Sequence, residues 1–187
     1  VITNFGTSKN FMEPQKARPN PKWNARTAAY YEKLLAQKTF DFGVFSYSMP
    51  GDNEPENVAS TREKLRAETS RLEAVFGRPF DIMPTYSHIA WYSSKMEFPS
   101  TLAGEFAGGD GFNSKPVLQF TYQFTTNNNN VSSYNSTQCQ TPMFDILRGV
   151  YDEDFRKLAS AIKAYGYPVL FRLNNEMNTD WTSYCGM

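Results

Sequence analysis

The stretch Tyr167-Pro168-Val169-Leu170-Phe171-Arg172-Leu173-Asn174-Asn175-Glu176-Met177-Asn178 decides how this chain is read. Its first part is apolar and suited to a strand; its second part is polar and opens on an Asn-Glu pair. In a parallel α/β barrel the C-terminal strand ends form the working face. A carboxylate delivered there is a natural general acid/base. Period-two alternation would also point Arg172, Asn174 and Glu176 the same way.

Working outward, Gly166 separates this strand from the clearest helix, Asp152 to Tyr165, in which Phe155, Leu158, Ala159, Ile162 and Tyr165 share one face. Upstream of it lies a long polar loop with four consecutive Asn, and before that a third strand, Lys115 to Tyr122. A short helix near Ser100 to Ala107 and the turn Gly108-Gly109-Asp110-Gly111 precede that strand. A second strand, Phe80 to Tyr86, contains Pro84, which limits its ladder. The preceding helix carries a capping-box pair, Ser60 and Glu63, and the apolar positions Val58, Leu65, Leu72, Val75 and Phe76 before Gly77. A first strand spans Phe40 to Tyr47 and closes on Met49-Pro50-Gly51. Before it, Asn24 to Gln37 reads as a helix with Tyr30, Tyr31, Leu34 and Leu35 inward. Residues 1–23 are a polar lead-in with Pro14, Pro19 and Pro21, and residues 24–187 form the domain proper.

Strands and helices alternate, so a parallel sheet is the economical architecture. Four βα units fit, whereas a closed barrel needs eight. A four-stranded half would leave two long parallel edges open. The rival is an open doubly wound sheet, but the glycine fingerprint of its dinucleotide-binding version is absent after the first strand.

Composition narrows the function classes. The 19 basic and 19 acidic side chains balance, which removes the electrostatic case for a nucleic acid or an anionic membrane as partner. No apolar run is long enough to span a bilayer. Aromatic residues make up 16% of the chain, which leans toward a carbohydrate site because ring faces stack on sugars. The chain opens on Val1 without a secretory pattern, and is read as a processed or trimmed segment. Cys139 and Cys185 follow neighbouring strands, close enough to bridge. Asn130-Val131-Ser132 and Asn135-Ser136-Thr137 fit the glycosylation pattern. These features together favour an extracellular protein. His88 is the lone histidine; it lacks a nucleophile elbow for a serine triad, and with two separated cysteines it gives no zinc-ligand spacing. No metal or other cofactor is expected.

In order and spacing, four segments resemble glycoside hydrolase family 26, the family of many β-mannanases, within the clan of retaining (β/α)8 enzymes. They are Phe42-Gly43-Val44-Phe45, Leu72 to Arg78, Gly149-Val150-Tyr151-Asp152 and, most specifically, Pro168 to Asn178. The resemblance runs from about residue 40 to the C-terminus. It implies the α/β N-terminal half, strands one to four, of a (β/α)8 TIM barrel, with Glu176 as acid/base. The family usually has His before that Glu; here Asn175 stands in its place, as is common in the wider clan. The family's nucleophile is a Glu at the end of strand seven, so the resemblance puts that role in a C-terminal half outside this chain. The expected substrate is a β-linked polysaccharide such as mannan.

Around Glu176, Asn175 is a candidate for binding a sugar hydroxyl or for forming a turn, and Arg172 for orienting carboxylates from below or for an ion pair within the barrel. Trp181, Tyr184, Tyr86, Trp91 and Tyr122 lie at or just past strand ends, where each ring fits sugar stacking or core packing equally. Asp52, Glu54, Glu97, Asp110 and Asp180 are read as solvated loop carboxylates. The alternative function is a non-catalytic glycan-binding or structural protein on the same half barrel.

Overall fold

The structure, a computed structural model, describes residues 19–45, 59–88, 98–99, 103, 115–124 and 143–174. In chain order the elements are helix α1 (Ala25–Ala36), helix α2 (Ala59–Phe76), strand β1 (Ile82–His88), strand β2 (Val117–Gln123), the short helix α3 (Met143–Leu147), helix α4 (Asp152–Tyr165) and strand β3 (Val169–Leu173). The fold is mixed α/β around a three-stranded sheet in the order β1-β2-β3. Both pairings are parallel. The strands expected second, third and fourth are therefore β1, β2 and β3.

The expected first strand is reduced. Within its described part it makes a single parallel bridge, Gly43 to Ile82. The Ile82 N–H donates to Phe42 O at 3.2 Å, whereas Asp81 O accepts from Val117 on the other side. Residues of even number on β1 thus face the 42–44 segment. The next donor on that side would be residue 84, and Pro84 has no N–H. Gly43 is required at the bridge itself: a Cβ there would lie 2.8 Å from Ile82 O and 2.9 Å from Ile82 Cβ. Asp81 closes the corner, accepting from the Phe42 N–H at 2.9 Å and from Arg78 at 2.7 Å.

Spatial order follows chain order without a reversal. Parallel crossovers are right-handed, so successive connections in one direction stack their helices on one face. The core bears this out. Met83, Leu118, Phe120 and Tyr122 project from one face and are almost wholly buried, and Leu65 and Leu72 of α2 and Leu158 of α4 join them. Phe98 packs its ring on Phe120 at 5.6 Å and on Tyr165 at 5.5 Å, tying the end of α4 to the centre of the sheet. β3 carries the same face to the limit of the described sheet, where Phe171 and Leu173 stay about half exposed, at 48% and 50%.

The helices depart from expectation in detail. On α4 it is Ala161, not Ala159, that packs on the core, and Ala159 is exposed. On α2, Val75 faces solvent, while Phe76 sets its ring edge-on to Phe42 at 5.2 Å. Ser60 lies within α2 and not ahead of it. The buried positions of α2 also include Glu68, Thr69 and Glu73. Glu73 accepts from the Phe80 N–H at 3.0 Å and so fixes the turn into β1.

Helix α1 starts at Asn24, whose side chain accepts from the Thr27 N–H at 2.9 Å. It has no fully buried residue, and Leu35, expected inward, is exposed. What holds it is polar. Tyr30 and Lys33 both reach Asp41 at 3.1 Å, just before the Gly43 bridge. At its other end Asn24 donates to Gly166 O at 3.4 Å, and Arg26 lies 4.3 Å over the Tyr167 ring, just before β3. Four parallel segments spaced about 4.8 Å apart place the outer two roughly 14 Å from each other. A 12-residue helix is about 18 Å long, enough to lie across that span. α1 thus lies across the N-terminal ends of the strands and leaves their C-terminal ends free of it.

Candidate functional site

The face opposite the helices carries a different chemistry. Along β2 the residues alternate as Leu118-Gln119-Phe120-Thr121-Tyr122-Gln123, so the apolar members enter the core and the polar ones line the other face. Register then aligns three side chains across the sheet: Tyr86 pairs with Thr121, and Thr121 pairs with Arg172. They are joined by hydrogen bonds. Arg172 Nε donates to Thr121 Oγ1 at 2.9 Å, and Arg172 Nη2 donates to Tyr86 Oη at 3.0 Å. The guanidinium also lies 5.4 Å from the centre of the Tyr86 ring. On its other flank Tyr86 meets Phe45 edge-on at 5.2 Å. Gln119 adds a longer contact to Thr121 Oγ1 at 3.4 Å.

This row holds a cation in place. Thr121 is fully buried, so the Arg172 N–H bonded to it replaces water for a hydroxyl that has none. Arg172 as a whole remains exposed, and it forms no ion pair with a carboxylate among the described residues. A planar donor fixed this way can bind a carboxylate or sugar oxygens in a defined orientation.

The strand exit above Arg172 is also defined. β3 stops at Leu173, and Asn174 takes a left-handed conformation with φ of 55°. Its N–H donates to Tyr122 O at 2.9 Å, and its side-chain Oδ1 accepts from the Phe124 N–H at 2.9 Å. The strand alternation expected to run from Arg172 through Asn174 to Glu176 therefore breaks at Asn174, because a left-handed residue does not continue a pleat.

Tyr86 and Arg172 of the expected site residues are brought together. Tyr86 is half-buried, with its hydroxyl and one side of its ring occupied by Arg172. Tyr122 lies on the opposite face, fully buried, with ring contacts to Phe124 at 5.8 Å and Phe155 at 6.5 Å. Of the two roles open to Tyr122, core packing is the one its position fits, since no face of the ring is open to a sugar. Burial raises its phenol above the ordinary value, with the nearby Asp154 and Tyr151 adding to the effect. Asn175, Glu176, Trp181, Tyr184, Trp91, Cys139 and Cys185 lie outside the described residues, as do both glycosylation tripeptides and the His88 side chain.

Sequence reasoning missed Thr121 and Asn174. The signal for Thr121 was present in the polar alternation of β2; that for Asn174 was an Asn immediately after an apolar run. Among the described residues no group of three or more His, Cys, Asp or Glu is placed to hold a metal ion, and no helix is long and apolar enough to cross a membrane. No family model matches the chain, and neither a curated protein nor a solved structure matches it.

Proposed function

We propose that the protein is a retaining glycoside hydrolase of the family-26 type, secreted and acting on a β-linked polysaccharide, with mannan the first substrate to try. In this reading the sheet is the N-terminal half of a (β/α)8 barrel. The observation that carries it is the row Tyr86–Thr121–Arg172 on the face opposite the helices, leading into the Asn-Glu pair. A sheet with helices on one face needs a second use for the other, and a barrel interior rich in polar side chains near the C-terminal strand ends supplies one.

Retention requires two carboxylates about 5–5.5 Å apart across the scissile bond. Glu176 is the acid/base: it protonates the leaving oxygen, then deprotonates the water that releases the glycosyl intermediate. The nucleophile comes from βα units outside these 187 residues, and the chain by itself is inactive in this account. Arg172 orients carboxylates from below. Asn175 holds a hydroxyl beside the bond, and Trp181 and Trp91 form stacking surfaces, with Tyr86 held between Phe45 and Arg172. A Cys139–Cys185 bridge ties together the loops that follow β2 and β3.

The test is Glu176→Gln in the whole protein. Turnover of mannan-type polysaccharide should fall by roughly 10²–10⁴-fold, the usual contribution of a positioned acid/base. Aryl glycosides with a very acidic leaving group should lose less in the first step, because their departure needs little protonation. Near-normal hydrolysis of β-glycans by the variant would remove Glu176 from the mechanism. Glycan binding without hydrolysis by the wild type would point instead to a binding protein on the same scaffold.

A further inference from the structure

In a regular parallel ladder, a residue donates its N–H to one residue of the neighbouring strand and offers its C=O to the N–H two residues further along. Asn174 keeps the first bond, donating to Tyr122 O at 2.9 Å. The second belongs by pattern to the Asn174 main-chain carbonyl and the Phe124 N–H. Here the Phe124 N–H donates to the Asn174 side-chain Oδ1 instead, also at 2.9 Å. With φ at 55°, the main chain has left the pleat, and the side-chain carbonyl takes the place of the main-chain one. The exit of β3 is thereby clasped to β2 at two points.

We infer that Asn174 is a positioning residue that fixes the direction in which the chain delivers Asn175 and Glu176. This rests on the reading of Glu176 as the acid/base. Continued as a strand, residue 174 would carry the pair onward in the plane of the sheet. The left-handed φ of Asn174 ends the pleat one residue before the pair, and the side-chain bond keeps the vacated ladder position on β2 satisfied. Asn suits both tasks: it tolerates the left-handed region, and its short amide reaches neighbouring backbone. Asp shares both properties. Gly has only the first, and Leu has neither.

The experiment compares Asn174→Asp, Asn174→Gly and Asn174→Leu in the whole protein, using two readouts. The first is amide exchange at Phe124, followed by NMR. Loss of one hydrogen bond should speed exchange roughly 5- to 10-fold in the Gly and Leu variants, with Asp within about 2-fold of wild type. The second is kcat and KM on a β-glycan together with the pH profile. The Leu variant should lose kcat with little change in KM and shift the acid/base limb, and Asp should restore both. Unchanged exchange at Phe124 in both Gly and Leu variants would overturn the clasp. Faster exchange with kcat and pH profile unmoved would leave Asn174 a strand end only, and overturn the positioning role. Should the wild type show no Glu176-dependent hydrolysis, the glycosidase reading fails on its own, and with it the acid/base positioning. The exchange data still decide whether Asn174 carries the ladder.

Discussion

The hydroxyl of Tyr122 is buried and has no hydrogen-bond partner among the described residues. An unsatisfied buried hydroxyl costs free energy, whereas the ring around it contributes through packing. Tyr122→Phe keeps the ring and removes the cost. The variant should match the wild type or exceed it by up to about 1 kcal/mol in chemical denaturation. A loss of more than about 1 kcal/mol would mean that the hydroxyl has a partner and a role. At this scale the sequence was readable where chemistry is local. Pro84 announced a limited ladder, and the side of β1 it limits is the one facing Gly43. It was not readable where a residue's role depends on the neighbouring strand. Thr121 matters because Tyr86 and Arg172 flank it in register, and Asn174 because Phe124 lies opposite.

Helix α4 was the element most legible in advance, and its bounds, Asp152 to Tyr165, are those expected. The causes are local: three acidic residues in the first turn favour the N-terminal pole, and Gly166 adopts φ of 72° to end the helix. The 40–47 strand was less legible, because its pairing depends on Ile82 and Pro84, forty residues away. The last residue of α4 has a consequence at high pH. Burial, helped by the neighbouring Tyr167, pushes the Tyr165 phenol from its ordinary 10.0 up to about 12. Below the ordinary value the folded and unfolded chains both hold this proton, so its contribution is fully present. Above it the unfolded chain deprotonates first, and stability falls as the pH rises toward the folded value. Tyr165→Phe should therefore retain more stability than wild type as alkali is added, with tyrosinate absorbance showing one late-titrating phenol fewer. Parallel losses in the two proteins would place Tyr165 outside this effect.

For the whole molecule, the sequence conveyed a parallel α/β arrangement because strand-like and helix-like periods alternate. The order of the strands and the division of faces needed the structure. Met83, Leu118 and Phe120 face two helices, while Gln119, Thr121 and Arg172 face the other way, and α1 lies across the N-terminal ends. The apolar core and the polar row thus lie on opposite faces of the same sheet. In the proposed function Glu176 works as the acid/base of a retaining glycosidase. The most direct measurement is the anomeric configuration of the first product released from a β-linked glycan by the whole protein, followed by proton NMR before mutarotation. The β-anomer should appear first, and none at a comparable rate from Glu176→Gln. An α-anomer formed first, or β-product formed equally fast without Glu176, would contradict it.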